Sequence, residues 1–336
     1  MKKVLVLGGT GAMGQYLVPE LLSMGYLVDS VSLDKAESFH PNLRCIQGNV
    51  KENGLLDTLL AAEYDGIVDF MTYHTEEFRE TYRKLLDHTG HYIFLSSCRV
   101  FADDPPITER SARLLDVSED KDYLATDDYS LYKAREEDIL RNSGYKNWTI
   151  VRPATTYSRG RFQLVTLEAG TVIYRMQAGK TIVLPEEAMD CPATLTWGGD
   201  VAKMLARLLF NEKAYGDDFN VATAEHNTWR EIAAIYNELV PFNYITVDKE
   251  TYIDIIANGS IFSMYQLKYA RMFRRITDNS KVLAVTGLKQ ADFKTLRQGL
   301  AFEYERSKGF EWAKCASSVQ NLRMDEFVNK KNSAKL

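Results

Sequence analysis

Three glycines spaced three apart, Gly8, Gly11 and Gly14, separate a short apolar run from a stretch with helical periodicity. Glycine in such a turn takes dihedrals that other residues avoid and lets backbone amides approach an anion with no side chain between. A helix that starts there adds unpaired N–H groups and the positive end of its dipole. The segment Gly8-Gly9-Thr10-Gly11-Ala12-Met13-Gly14 therefore points to the pyrophosphate of a dinucleotide. A second chemistry-bearing pair is Tyr129 and Lys133. Four residues apart on a helix, they share a face and can address one ligand. A free phenol titrates at about 10, too high for proton transfer at neutral pH, and a nearby ammonium favours the phenolate. The same spacing recurs at Tyr304 and Lys308. That copy follows no serine-bearing strand and reads as a solvated helix face.

These residues need elements to hold them. Residues 2–7 form a Val/Leu-rich run of the kind buried on both faces of a parallel sheet. A helix over 15–24, closed by Gly25, follows it, and strands follow over 27–33, 44–47, 67–71, 92–96 and 148–151. Helical patterns at 52–62, 78–86 and 131–140 lie between them, and an acidic loop covers 102–127. Strands alternating with helices at this period mean right-handed crossovers. The fold class is α/β: a Rossmann doubly wound parallel sheet over residues 1–155, with 195–225 returning to it. A smaller, discontinuous C-terminal substrate domain covers mainly 156–330. Residues 154–195 read as loop plus one helix. Helices at 200–211 and 228–239, the latter capped by Thr228, flank a strand at 219–222, and a polar tail frays from Asn329.

Composition narrows the function. The net charge of −5 provides no global basic field, so no nucleic-acid partner is expected. The four cysteines have no paired spacing, which argues against a zinc site or a disulfide framework and fits a reducing cytoplasm. The first apolar run stops after Leu7, too soon for a secretory h-region or a membrane span. A cytoplasmic protein with no metal site is the expectation.

The glycine spacing resembles that of the extended short-chain dehydrogenase/reductase superfamily, the NAD-dependent epimerase/dehydratase family with its nucleotide-sugar epimerases. Ser96-Ser97-Cys98-Arg99-Val100-Phe101 resembles that family's serine strand, Tyr129-Ser130-Leu131-Tyr132-Lys133 its Tyr-x-x-x-Lys pair, and Val151-Arg152-Pro153 the Arg-Pro after strand six. Asp278-Asn279-Ser280-Lys281 resembles the closing segment of nucleotide-sugar epimerases. The resemblance implies NAD or NADP as cofactor and hydride transfer on a small-molecule substrate, a nucleotide-sugar, by an epimerase or reductase. It implies Ser97, with Ser96 as fallback, hydrogen-bonded to the substrate oxygen, Tyr129 as acid/base, and Lys133 on the nicotinamide ribose. Gly8, Thr10, Gly11, Ala12, Met13 and Gly14 would hold the pyrophosphate, Asn49 and Val50 the adenine, and Met71 would pass near the nicotinamide. At the end of strand two either Asp34 accepts the ribose hydroxyls, favouring NAD, or Ser32 with Lys35 tolerates the 2′-phosphate of NADP. A homodimer is a further family expectation.

Some residues depart from that pattern. Dehydratases of this layout follow the catalytic Thr with Asp-Glu, whereas Cys98-Arg99 follows Ser97 here, which disfavours elimination. Arg99 either meets an acidic substrate group or pairs with Asp103 and Asp104. Arg271, Arg274 and Arg275 either clamp a pyrophosphate or form a charged helix face. His74 reads as a solvated loop residue and Arg152 as an ion-pair residue. A reading from another class, a non-catalytic dinucleotide sensor or an RNA-binding relative on the same fold, is opposed by the acidic balance and by the retained Ser97, Tyr129 and Lys133.

Overall fold

The computed structural model of the chain describes residues 1–52, 54–257 and 259–333. Seven strands make the main sheet: β1 (Lys3–Leu7), β2 (Leu27–Ser32), β3 (Leu43–Gln47), β4 (Tyr64–Asp69), β5 (Thr89–Leu95), β6 (Trp148–Arg152) and β7 (Asp217–Asn220). Their spatial order is β7-β6-β5-β4-β1-β2-β3, and every neighbouring pair is parallel. Val4, Leu5, Val6 and Leu7 have no solvent exposure, as a central parallel strand requires. Each such side chain contributes roughly 1.5–3 kcal/mol by leaving water. The direction of winding reverses between β1 and β4, which opens a crevice beyond the carboxyl ends of these strands.

Helices cover both faces. On one side α1 (Gly14–Ser23) packs beside Gly198–Leu208, with Leu17, Leu21, Val201 and Leu205 in a common apolar cluster. On the other lie α2 (Leu55–Leu60), α3 (Thr75–Asp87) and α4 (Tyr129–Arg141), with Leu59, Phe78, Leu85 and Leu140 against the sheet. A separate cluster joins Tyr157, Ile173, Trp229, Trp312 and Met324. Thr228 caps Trp229–Leu239 through a capping box with Glu231, as its position suggested.

Three expectations need correction. Residues 154–195 hold short strands as well as a helix: Thr155–Tyr157 pairs with Leu195–Trp197, and Ile182–Pro185 with Tyr244–Val247. Partners so distant in sequence leave no local periodicity to read. The loop over 102–127 contains two single-turn helices, Leu114–Val117 and Lys121–Leu124. The polar tail from Asn329 is helical as far as Ser333, as the end of a helix Ser318–Ser333 that Arg175 bonds earlier, at Asn321 and Asp325; residues 334–336 of that tail lie outside the described residues. No helix among the described residues is long and apolar enough to cross a membrane.

One buried ion pair ties the sheet to α4. The Glu137 carboxylate, without exposure, accepts from Arg152 Nε at 2.7 Å and Nη2 at 2.8 Å, and from the Ser96 hydroxyl at 2.5 Å. Burial alone would raise this carboxyl, but Arg152, Arg141 and the Ser96 hydrogen bond outweigh it and hold the group below its usual range. Arg152 also donates to Asp218, so it is a structural ion-pair residue. Glu137→Ala should destabilise the protein by about 3–5 kcal/mol, the cost of leaving a buried partner uncompensated. Urea unfolding checks this, and a loss near zero would show the pair to be dispensable.

Candidate active site

A cavity of about 570 Å³ lies over the carboxyl ends of the strands. The turn after β1 forms its floor at one end. Gly8 and Gly9 amides donate to Val31 O at 2.8 and 3.2 Å, and the Gly11 amide to Gly8 O at 3.0 Å. The Thr10 amide donates to Ser32 Oγ at 3.0 Å, and the Thr10 hydroxyl to Asp34 at 2.9 Å. The amides of Ala12, Met13 and Gly14 meet no acceptor among the described residues. A Cβ on Gly14 would sit 2.4 Å from Gly8 O, and one on Gly9 would sit 2.0 Å from Ser30 Oγ. Gly9 lies outside the three-residue spacing, so its packing role was not legible in the motif.

The expected cofactor-side residues Gly8, Thr10, Gly11, Ala12, Met13, Gly14, Ser32, Asp34, Asn49, Val50 and Met71 all line this one cavity. Both ends of the Asn49 amide are engaged in its own turn, with the Lys51 amide and with Glu52, and each end keeps one further hydrogen-bonding position. The loop after β4 is held by Asp69, which is 1% exposed and accepts from Met71 N, Tyr73 OH and Tyr92 OH. Burial raises this carboxyl against the pull of those three donors.

Ser97 and Tyr129 line the cavity midway. Ser97 Oγ accepts from the Arg99 amide at 3.2 Å and caps the short turn Cys98–Val100, so its own hydrogen remains free to donate. Ser96, fully buried, donates to Glu137 and does not line the cavity. Tyr129 is half-buried at the first turn of α4, beside the Asp128 cap, and its hydroxyl has no partner among the described residues. Lys133 stands outside the cavity wall. It is 1% exposed, its ammonium pairs with Glu136 at 2.9 Å and faces the Phe94 ring at 4.8 Å. The Tyr304 copy is remote, its hydroxyl bonded to Gln177.

At the far end the wall carries Arg161, Arg271 and Arg275, with Gln163, Glu168 and Gln266. Arg161, Gln163, Glu168 and Gln266 were not singled out from sequence; they sit on short hairpin and helix segments with no motif of their own. Arg271 bonds Val165 O, Thr155 Oγ1 and Gln163 Oε1, and Arg275 bonds Phe101 O, Ala102 O and Tyr269 O. Every one of these acceptors is neutral. Arg274 instead pairs with Asp103 and does not line the cavity, and the ion pair of Arg99 is with Asp128, at 3.5 Å, rather than with Asp103 or Asp104. His74, largely exposed, pairs with Asp127 at the start of α3.

A Rossmann sheet with a glycine turn under its crevice and a Ser/Tyr pair at the cavity wall defines a dinucleotide-dependent enzyme class. The chain belongs to the NAD dependent epimerase/dehydratase family, whose model matches residues 4–222. A nicotinamide dinucleotide, NAD(P), is thus its class of cofactor, and its function is of the epimerase type. No curated protein matches the chain. Solved structures share the fold: an epimerase, Mth375, from Methanothermobacter thermautotrophicus, with TM-score 0.68 and 14% identity over 91% of this chain and 92% of that one. WbmH from Bordetella bronchiseptica, in complex with NAD+, has TM-score 0.67 and 16% identity, covering 92% of this chain and all of that one. UDP-glucuronic acid 4-epimerase from Bacillus cereus has TM-score 0.66 and 16% identity over 91% and 99%.

The buried Lys133–Glu136 pair has a pH signature. Burial raises the Glu136 carboxyl to about 7, opposed by Lys133. The folded protein therefore binds a proton that the unfolded chain releases between the ordinary carboxylate range and about 7, so this group's contribution to stability falls as pH rises through that window. Glu136→Gln should make the decline of stability between pH 5 and pH 8 shallower. Denaturant midpoints across that range test it, and an unaltered slope would remove Glu136 from the account.

Proposed function

We propose that this protein is an NAD-dependent epimerase or reductase acting on a nucleotide-sugar, with Tyr129 as the acid/base. The observation that carries the reading is a single cavity running from the glycine turn, past Ser97 and Tyr129, to Arg161, Arg271 and Arg275.

The residues present fit a dinucleotide. Three amides without acceptors at the start of a ten-residue helix face the same cavity as a turn too tight for any Cβ at Gly14. In this reading Ala12, Met13 and Gly14 take the pyrophosphate, Asn49 and Val50 the adenine, and Met71 borders the nicotinamide. Asp34, at the cavity edge and accepting from Thr10, takes the ribose hydroxyls and would repel a 2′-phosphate, which favours NAD over NADP. Lys133, four residues on from Tyr129, is assigned to the nicotinamide ribose in this reading by its resemblance to the Tyr-x-x-x-Lys pair.

Bound NAD supplies a hydride acceptor that, once reduced, can return the hydride. The chain's own part is to hold the substrate and move a proton. Ser97 donates its free hydrogen to the substrate oxygen and fixes its position, and the unpartnered Tyr129 hydroxyl takes or returns the proton. Arg271 and Arg275, whose hydrogen bonds go to neutral oxygens, hold the diphosphate. An epimerase keeps its cofactor through the cycle, whereas a reductase exchanges it.

Protein purified without added cofactor should release NAD on denaturation, identified by mass spectrometry, if the cycle is internal. A site that is empty and binds added NADH would assign a reductase, and no dinucleotide under either condition would refute the reading. Tyr129→Phe should retain dinucleotide affinity and lose about 100-fold or more in turnover, the usual scale of a lost acid/base. Asp34→Ala should narrow the preference for NAD over NADP in binding titrations, and an unchanged ratio would place discrimination elsewhere.

A further inference from the structure

Arg99 differs from the other arginines of the α4 side of the molecule. Arg152 forks onto Glu137, Arg113 bonds Asp116 and Asp138, and Arg135 bonds Asp127, all within about 3 Å. The Arg99 guanidinium makes no hydrogen bond among the described residues, and its Nε is buried without a partner. Its nearest carboxylate, Asp128, stands 3.5 Å from Nη2, long for a charge-assisted bond. Asp128 already accepts from Ser130 N at 3.1 Å and Ser130 Oγ at 2.6 Å. A guanidinium that is 18% exposed and lacks acceptors is costly unless something else supplies them.

Its location says what that must be near. The Arg99 amide is bonded to Ser97 Oγ, and its guanidinium carbon lies 4.9 Å from the centre of the Tyr129 ring, on the cavity wall. Those are the two side chains that flank the reacting oxygen in the reading above. Arg161, Arg271 and Arg275 line the same cavity, with Glu168 as the one carboxylate at that end among the described residues. Burial first, and then the neighbouring Arg99, hold Arg271 down to about 9 and act in the same direction on Arg275, at about 10. A diphosphate on Arg271 and Arg275 would still leave the Arg99 guanidinium without a hydrogen-bond acceptor, with Asp128 at 3.5 Å as its ion-pair partner.

We propose that Arg99 receives an oxyanion of the substrate, a carboxylate or a phosphate ester, on a carbon neighbouring the one that reacts. This names the substrate class of the site just described and rests on that redox reading. The planar fork of Arg99 accepts either oxyanion through two parallel N–H donors. A neutral hydroxymethyl group at the same place offers no charge to match it, so substrates lacking the anion are disfavoured.

The test titrates the NAD-loaded protein with D-glucuronate, D-glucose 6-phosphate and D-glucose, read by calorimetry. At least one acid should bind at millimolar concentration where glucose does not, and which one binds identifies the oxyanion. Arg99→Met should weaken that binding about tenfold or more, the scale of a lost charge-assisted hydrogen bond, while Arg99→Lys retains part of it. Circular dichroism and NAD affinity of both variants establish that they fold. Glucose binding as well as the acids, no acid binding, or Arg99→Met binding them like the parent would each overturn the proposal. UDP titrated alone reports on the nucleotide-sugar reading: its failure to bind would sink that reading and leave the result for Arg99 standing.

Discussion

Glu137 joins three elements that contribute to the site. Its carboxylate accepts from Ser96 at the end of β5 and from Arg152 at the end of β6, while its own backbone belongs to α4. Fixing α4 there sets the rotation and height of the whole helix, so that Tyr129, two turns earlier, stands at the cavity wall. It also anchors Ser96, which leaves Ser97 as the hydroxyl on the cavity side. A buried charge that accepts four hydrogen bonds, from Ser96, Arg141 and twice from Arg152, tolerates little displacement, because any movement strands a desolvated oxygen or guanidinium. The placing of Ser97 and Tyr129 on the cavity wall depends on that constraint.

The cavity has electrostatically distinct ends. Backbone amides and a helix dipole make the glycine turn favourable for an anion, with Asp34 marking where further negative charge is unwelcome. The opposite end relies on arginines whose hydrogen bonds go to neutral oxygens, which orients them without cancelling their charge. A ligand that is anionic at its middle and far end, with a hydroxyl-bearing edge at its rim, matches this layout. The same charge pattern discriminates among ligands as well as attracting them.

Lys133 lies in a buried acidic cluster. Its ammonium pairs with Glu136, one turn on, and lies over the Phe94 ring. Asp69 lies close enough to be influenced by Lys133, and burial raises both acids. The cluster favours retaining protons and ties the stability of α4 to pH.

Much of this protein is legible in one dimension. A continuous apolar run at β1, glycines at once after it, and alternating helical and strand periods determine a doubly wound sheet, because each signal is local and each element must bury its apolar surface against the next. The same locality made the glycine turn and the spacing of Tyr129 and Lys133 visible, whereas Ser97 was named by the resemblance of its strand to a family pattern. Other features come from partners far apart in the chain. The pairing of Thr155–Tyr157 with Leu195–Trp197, the helical tail gripped by Arg175, and the burial of Lys133 against Glu136 each depend on what packs alongside. Whether an arginine is neutralised is decided in the same way: Arg152 and Arg274 hydrogen-bond carboxylates, Arg99 stands 3.5 Å from Asp128 without a hydrogen bond, and the hydrogen bonds of Arg271 go to neutral oxygens. The sequence by itself determined the sheet, the turn and the chemical types at the site; only the tertiary structure decided which charges remain uncompensated, because compensation is a matter of distance in space and not along the chain.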